Sequence, residues 1–377
     1  MPSQILHLLF GEDVLTALYE GLKGRFGSVA EEALLKIKRD YWSGFALGCQ
    51  GPDIFYHSQS SRPVALEYGT LLHRRGYGVF TASLLKMALP GTPPSEGEMK
   101  RGQGGGAEKL SPSRKISALG AYALGFMTHA LLDRRAHPYI VYKAARHHAF
   151  FERILDVTML RLLRGLDVSF WDQEALLAVA CADPPQGLGA LLEKALIAAF
   201  PERAGKDEKL PLRIANAFRD AAFFYRLTDP RKTTLRGGGW NFNLNRLRES
   251  GWNTLSYIYP EKLPLDIDYL NFGKALWRDP GCPPAGADSG PNVRASSTAS
   301  FPDLYLLAVE EAAARLSPFI ARYLDEGIFP ITEAARTIGN NALSIQAENG
   351  RPCAPRCFDF LPLDRVLAQQ ETLRKIN

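Results

Sequence analysis

A mostly apolar segment spanning residues 114–136 carries His129 and Asp133 among Leu119, Tyr122, Leu124, Phe126, Met127 and Leu131, and His137 follows directly. The three polar residues read H-x-x-x-D-x-x-x-H. A spacing of four is one α-helical turn, so they project from one helix face, the outer two fanned by only about 80°. Burying a carboxylate in such a helix is costly unless a cation or hydrogen bonds compensate. His148 and Glu152 repeat the spacing as H-x-x-x-E, and all seven histidines of the chain lie within its first 148 residues. Imidazoles and carboxylates are the ligands of zinc and similar first-row metals. The pattern predicts a multi-metal site carried on helices.

Each pair taken alone has a plainer reading. His129 and Asp133 read as a core histidine held by a carboxylate, and His148 with Glu152 as ordinary pairing on a helix surface. The two sets together favour metal. Pro138 suits a helix start, which places His137 at the junction between two helices. His147 reads as exposed, because only His148 has an acidic residue four places on. Earlier in the chain His73 lies in LLHRRGYG, and Asp53 follows Gly51 and Pro52 in a turn that can present a carboxylate to a cleft. His57, four residues after Asp53, reads first as a surface residue or a support for the ligands and second as a ligand. His7 sits in an apolar first helix, where a satisfied core histidine is its plainer reading.

The periodicity is helical almost throughout, with apolar stripes over about 63–89, 114–136 and 139–164, then about 171–182, 187–199, 209–227, 303–324 and 331–345. A first helix carries Ile5, Leu6, Leu9, Phe10, Val14 and Leu18, capped by Ser3, and residues 28–48 continue the pattern. The fold class is therefore all-α. The Gly- and Pro-rich stretches 90–113 and 279–302 read as surface loops, the first of them mobile. Neither separates two independent cores, so residues 1–377 read as one all-α domain, with a metal-binding core over 1–165 and a helical C-terminal extension over 166–377.

Composition narrows the partners. A net charge of +5 over 377 residues suits an anionic substrate and falls short of a dedicated nucleic-acid binder. No apolar run approaches the roughly 18 residues of a membrane span. The start MPSQILHLLFGEDVL lacks the basic region of a secretory signal, and five cysteines read as reduced thiols, so a cytoplasmic location is expected.

Taken in order, His7, Asp53, His73, His129 with Asp133, His137, and His148 with Glu152 resemble the zinc-dependent phospholipase C family and its relatives, the fungal single-strand nucleases. The resemblance covers residues 1–155, with fainter echoes in DYLNFGKALWRDP and SFPDLYLLAVEEAA. It implies an all-α bundle holding two or three zinc ions between helices. Asp133 would bridge two of them, and Asp53 would serve as general base or as a further ligand. In that family the N-terminal amine is itself a ligand; here Pro2, exposed by removal of Met1, would stand five residues before His7 and take that part. The implied activity is hydrolysis of a phosphodiester, most simply a phospholipid, by metal-activated water. Phe55 and Tyr56 are candidates for an aromatic wall against the substrate, although packing between helices is their plainer reading. The alternatives are a nuclease or nucleotidase with the same metals, nucleic acid being then a substrate only, and a metal-binding protein without turnover.

Overall fold

The computed structural model describes residues 4–89, 116–233, 254–278, 296–344 and 357–376. Pro2, Ser3 and the expected loop at 90–113 lie outside the described residues, as does 279–295 of the second expected loop. The expected all-α class holds: among the described residues the strand pairing is a two-residue antiparallel ladder, Trp277 opposite Ser297 and Arg278 opposite Ser296. No helix among them is long and apolar enough to cross a membrane.

Helix α1 (Gln4–Phe26) buries Ile5, Leu6, Leu9, Phe10, Val14 and Leu18, the stripe read from the sequence, and closes with Lys23 and Arg25, where cations meet the negative helix end. The 28–48 stretch is not one helix. A π-helical turn at Glu31–Leu35 interrupts it, and Tyr41 leaves the helical region before α2 (Trp42–Cys49). A 3-10 turn, Gly51–His57, follows, then α3 (Val64–Arg74) and α4 (Tyr77–Ala88), which break apart at Arg75–Gly76.

Helix α5 (Ala118–Ala144) is the spine of the fold, buried over most of its length. It crosses α2 with the two backbones in contact. A Cβ on Gly48 would overlap the Tyr122 carbonyl, and one on Gly125 would overlap that of Phe45. The helix runs straight through Pro138, contrary to the expected break. The proline forfeits one backbone hydrogen bond, but Tyr139 and Ile140 beyond it are buried, and that packing keeps the helix going. His129, Asp133 and His137 therefore share one helix and one face. The next helix, α6 (His148–Arg164), begins only at His148, after a tight 3-10 turn at Ala145–His147.

The C-terminal half wraps this frame. It comprises α7 (Leu188–Ala199), α8 (Leu210–Leu227), α9 (Phe301–Glu326), α10 (Ile331–Ile338) and α11 (Leu363–Ile376), the last not anticipated from periodicity. Ser300 and Asp303 form a reciprocal capping box that starts α9, which lies along α1 and α5. Helix α10 stops at Ile338, well before the expected 345, and Arg134 of α5 pins its end by donating to the carbonyls of Gly339 and Asn341 at 3.3 and 3.0 Å. One buried apolar cluster extends from Leu6 of α1 to Val366 of α11. Cys49 and Cys181 are buried and unbridged.

Candidate metal centre

Five elements converge on one cluster of side chains. Asp133, on the inner face of α5, presents Oδ1 to His7 Nε2 of α1 at 3.2 Å and to His137 Nε2 at 3.8 Å. Its Oδ2 faces His129 Nε2 at 3.1 Å and His73 Nε2 of α3 at 3.7 Å. Asp53, from the 3-10 turn, adds a second carboxylate: Oδ1 lies 3.1 Å from His73 Nε2 and Oδ2 3.8 Å from His129 Nε2. Glu152 of α6 supplies a third, its Oε1 3.4 Å from His137 Nε2 and 3.2 Å from His148 Nε2. His137 thus stands between Asp133 and Glu152, and the side chains expected from the sequence form one continuous cluster.

Local backbone chemistry aims these groups. Gly51 has φ +56 and packs so tightly on His129 that a Cβ would overlap the imidazole, which lets the turn bring Asp53 against α5. The His129 ring is held at Nδ1 by the Cys49 carbonyl at 3.2 Å, and the His73 ring at Nδ1 by the Gly69 carbonyl at 2.7 Å. An imidazole that donates through Nδ1 leaves Nε2 as its ligand atom, the usual outer-sphere device at metal sites. His7 and His129 also stack, with ring centroids 4.1 Å apart.

Among the described residues, three groups of side chains have ligand atoms close enough to hold a metal ion: His7, Asp53 and His129; His73, His129 and Asp133; and His137, His148 and Glu152. Metal–ligand distances of about 2.0–2.1 Å in a tetrahedral site put the ligand atoms roughly 3.3 Å from one another. The separations of 3.1–3.8 Å above straddle that value. Three of the facing atoms make no hydrogen bond at all. His129 Nε2, Asp133 Oδ2 and Asp53 Oδ2 are buried with no hydrogen-bond partner. Buried polar atoms rarely go unmet, and an ion seated among them satisfies both carboxylate and imidazole lone pairs. The donor set fits a metal.

The electrostatics agree in direction. Burial pushes the Asp53 carboxyl up, but His129 and His73 outweigh it and hold it below its ordinary range. Burial likewise opposes ionisation of Asp133, yet His137, His129 and His7 hold it well below the ordinary value. Glu152 is lowered against burial by His148 and His137. Burial depresses His137, but Asp133 and Glu152 carry it up to about 9. Without metal, Asp133 and Glu152 favour the imidazolium form of His137.

The cluster is not uniformly covered. The His148 side chain is 29% exposed and those of His137 and His73 12% and 11%, whereas His129 and Asp133 are almost completely covered. Tyr56 stands beside His73, its Oη 3.3 Å from His73 Nδ1, and burial raises its hydroxyl pKa. Phe55, paired with Tyr56 in the sequence reading, faces the core against Tyr68. His57 is fully buried, stacked on Phe224 at 4.1 Å, and belongs to none of the three groups. His147 is half-buried rather than exposed, with Nε2 2.9 Å from Asp364. Pro2 lies outside the described residues.

Of the supports, Gly51 was legible in the sequence, whereas the Cys49 and Gly69 carbonyls and Asp156 were not. The last carried a signal, since Asp156 continues the four-residue spacing of His148 and Glu152 by one more turn of α6. No family model, curated protein or solved structure matches the chain.

Proposed function

We propose that the chain is a zinc-dependent phosphodiester hydrolase of the phospholipase C type, with two or three zinc ions held by His7, Asp53, His73, His129, Asp133, His137, His148 and Glu152. The observation that carries the reading is Asp133: a buried carboxylate with two imidazoles against each oxygen and no hydrogen bond to Oδ2. That is the disposition of a carboxylate shared between ions. When bound, such ions supply Lewis acidity toward a phosphoryl group and bring a water pKa toward neutrality.

The remaining roles belong to the chain. His73, His137 and His148, the more exposed of the set, would orient an arriving phosphodiester. Tyr56, next to His73, would contact the leaving or retained group. Asp53 reads as a ligand before it reads as a base. Both its oxygens face imidazole Nε2 atoms, and a carboxyl held below its ordinary range is a weak proton acceptor near neutrality. The net charge of +5 favours an anionic substrate.

The test is elemental analysis of protein purified without chelator, with turnover assays on phosphatidylcholine, single-stranded DNA and bis(4-nitrophenyl) phosphate. Two or three zinc ions per chain and hydrolysis of phosphatidylcholine are expected. Turnover of DNA alone would move the reading to the nuclease branch. Metal without turnover of any of the three would make this a metal-binding protein, and fewer than one ion per chain would overturn the reading.

A further inference from the structure

Asp156 lies one turn beyond Glu152 on α6 and is completely buried. Its Oδ1 accepts from the Leu6 backbone N–H at 2.8 Å and its Oδ2 from that of Gln4 at 3.2 Å. These N–H groups belong to the opening turn of α1, where a helix has no intrahelical acceptors and where a carboxylate is favoured by the helix dipole. Arg153, also buried, places Nη1 3.3 Å from Asp156 Oδ2 and donates to Tyr259 Oη at 2.9 Å. Tyr259 donates in turn to Gln173 Oε1 at 2.8 Å, with Gln4 Oε1 at 3.2 Å. A polar network therefore connects the start of α1, the middle of α6 and the C-terminal half.

Stability alone does not call for it. A buried ion pair recovers little more than its desolvation cost, and an apolar replacement of the same volume is often as stable. What the pair adds is direction. Two N–H bonds to one carboxylate fix both the rotation of α1 about its axis and its position along it. The residue after Leu6 is His7. A slip of one residue would shift His7 by about 1.5 Å and turn it by about 100°, taking Nε2 away from Asp133. We propose that Asp156, braced by Arg153 and Tyr259, is a positioning residue for the metal centre: it sets His7 against Asp133 from the helix that carries His148 and Glu152. The proposal rests on the metal-centre reading above.

The test is a mutant cycle with two readouts. In metal-free protein, amide hydrogen exchange over the first turns of α1 reads the anchor itself. Asp156→Asn should lose protection at residues 4–10 while the rest of the molecule keeps its own. Zinc affinity, measured by chelator competition, reads the positioning. Asp156→Asn should weaken it roughly tenfold or more, the usual scale for outer-sphere support. Tyr259→Phe, which keeps the carboxylate, should act in the same direction by a smaller factor, and it carries the cycle if Asp156→Asn does not fold. In a His7→Ala background neither substitution should weaken zinc further. Equal losses with and without His7 would mean general destabilisation and overturn the proposal, as would unchanged protection of α1 in Asp156→Asn. Wild-type protein that binds no zinc would remove the metal reading instead, leaving the exchange readout to decide whether Asp156 holds α1.

Discussion

Asp133 Oδ1 lies 3.2 Å from His7 Nε2, joining the second turn of the first helix to the centre of the spine helix. The contact makes the opening turns of the chain part of the candidate centre, and it leaves Asp133 facing at least one histidine of each of the three ligand groups.

Replacing Asp133 by Asn should therefore cost more metal than replacing any single histidine. The amide keeps the volume but loses the charge that four imidazoles surround. Elemental analysis should find at least one ion fewer per chain, and kcat/KM on a phosphodiester should fall by about a hundredfold or more. Full occupancy in Asp133→Asn would show that the carboxylate is not shared between ions.

Metal-free protein should have a peaked pH–stability profile. His137 has its folded pKa raised to about 9, so its contribution is complete below 6.5 and is lost as pH rises through 9. Burial lowers His57 to about 3, so its contribution is complete above 6.5 and is lost as pH falls toward 3. The lowered carboxyls of Asp53, Asp133 and Glu152 also lose their stabilisation on the acid side. Thermal melting against pH should peak near pH 6.5. Saturating zinc should flatten the alkaline limb, because ligand binding needs the deprotonated imidazole. An alkaline limb that persists with zinc would remove His137 from the ligand set.

Gly51→Ala tests the turn that delivers Asp53. Its φ of +56 is unfavourable for alanine, and the added methyl would run into the His129 ring. A loss of about 1–3 kcal/mol in denaturant unfolding is expected, together with weaker metal binding. Loss of stability with normal metal affinity would show that the turn does not set the ligand geometry.

His57→Phe separates the two histidine classes. Neither ring nitrogen of His57 has a hydrogen-bond partner, and the ring stacks on Phe224. Leaving a buried polar atom unmet costs about 1–3 kcal/mol, so the phenyl ring should be tolerated or should stabilise. Metal content should not change, and the acid limb of the pH profile should shrink. An ion lost with this substitution would place His57 in the centre after all.

Helical periodicity determined much of this protein from the sequence alone. Residues spaced by four share a helix face, so His129 with Asp133, and His148 with Glu152, were legible as sets, and the apolar stripes were legible as an all-α fold. Periodicity has no information about what a face meets. Asp53 and His57 have the same spacing on one short turn, yet Asp53 reaches the cluster and His57 packs on Phe224, because tertiary packing chose between the faces. The Pro138 rule failed for a related reason: the burial of Tyr139 and Ile140 outweighed a local preference, and only the folded core supplies that burial. That His7 meets Asp133 depends on contacts no local pattern records: Gly48 and Gly125 letting two backbones touch, and Asp156 holding the first turn of α1 from another helix. Spacing along one helix is a property of the chain, whereas the distance between helices is set by the side chains that all of them bury together.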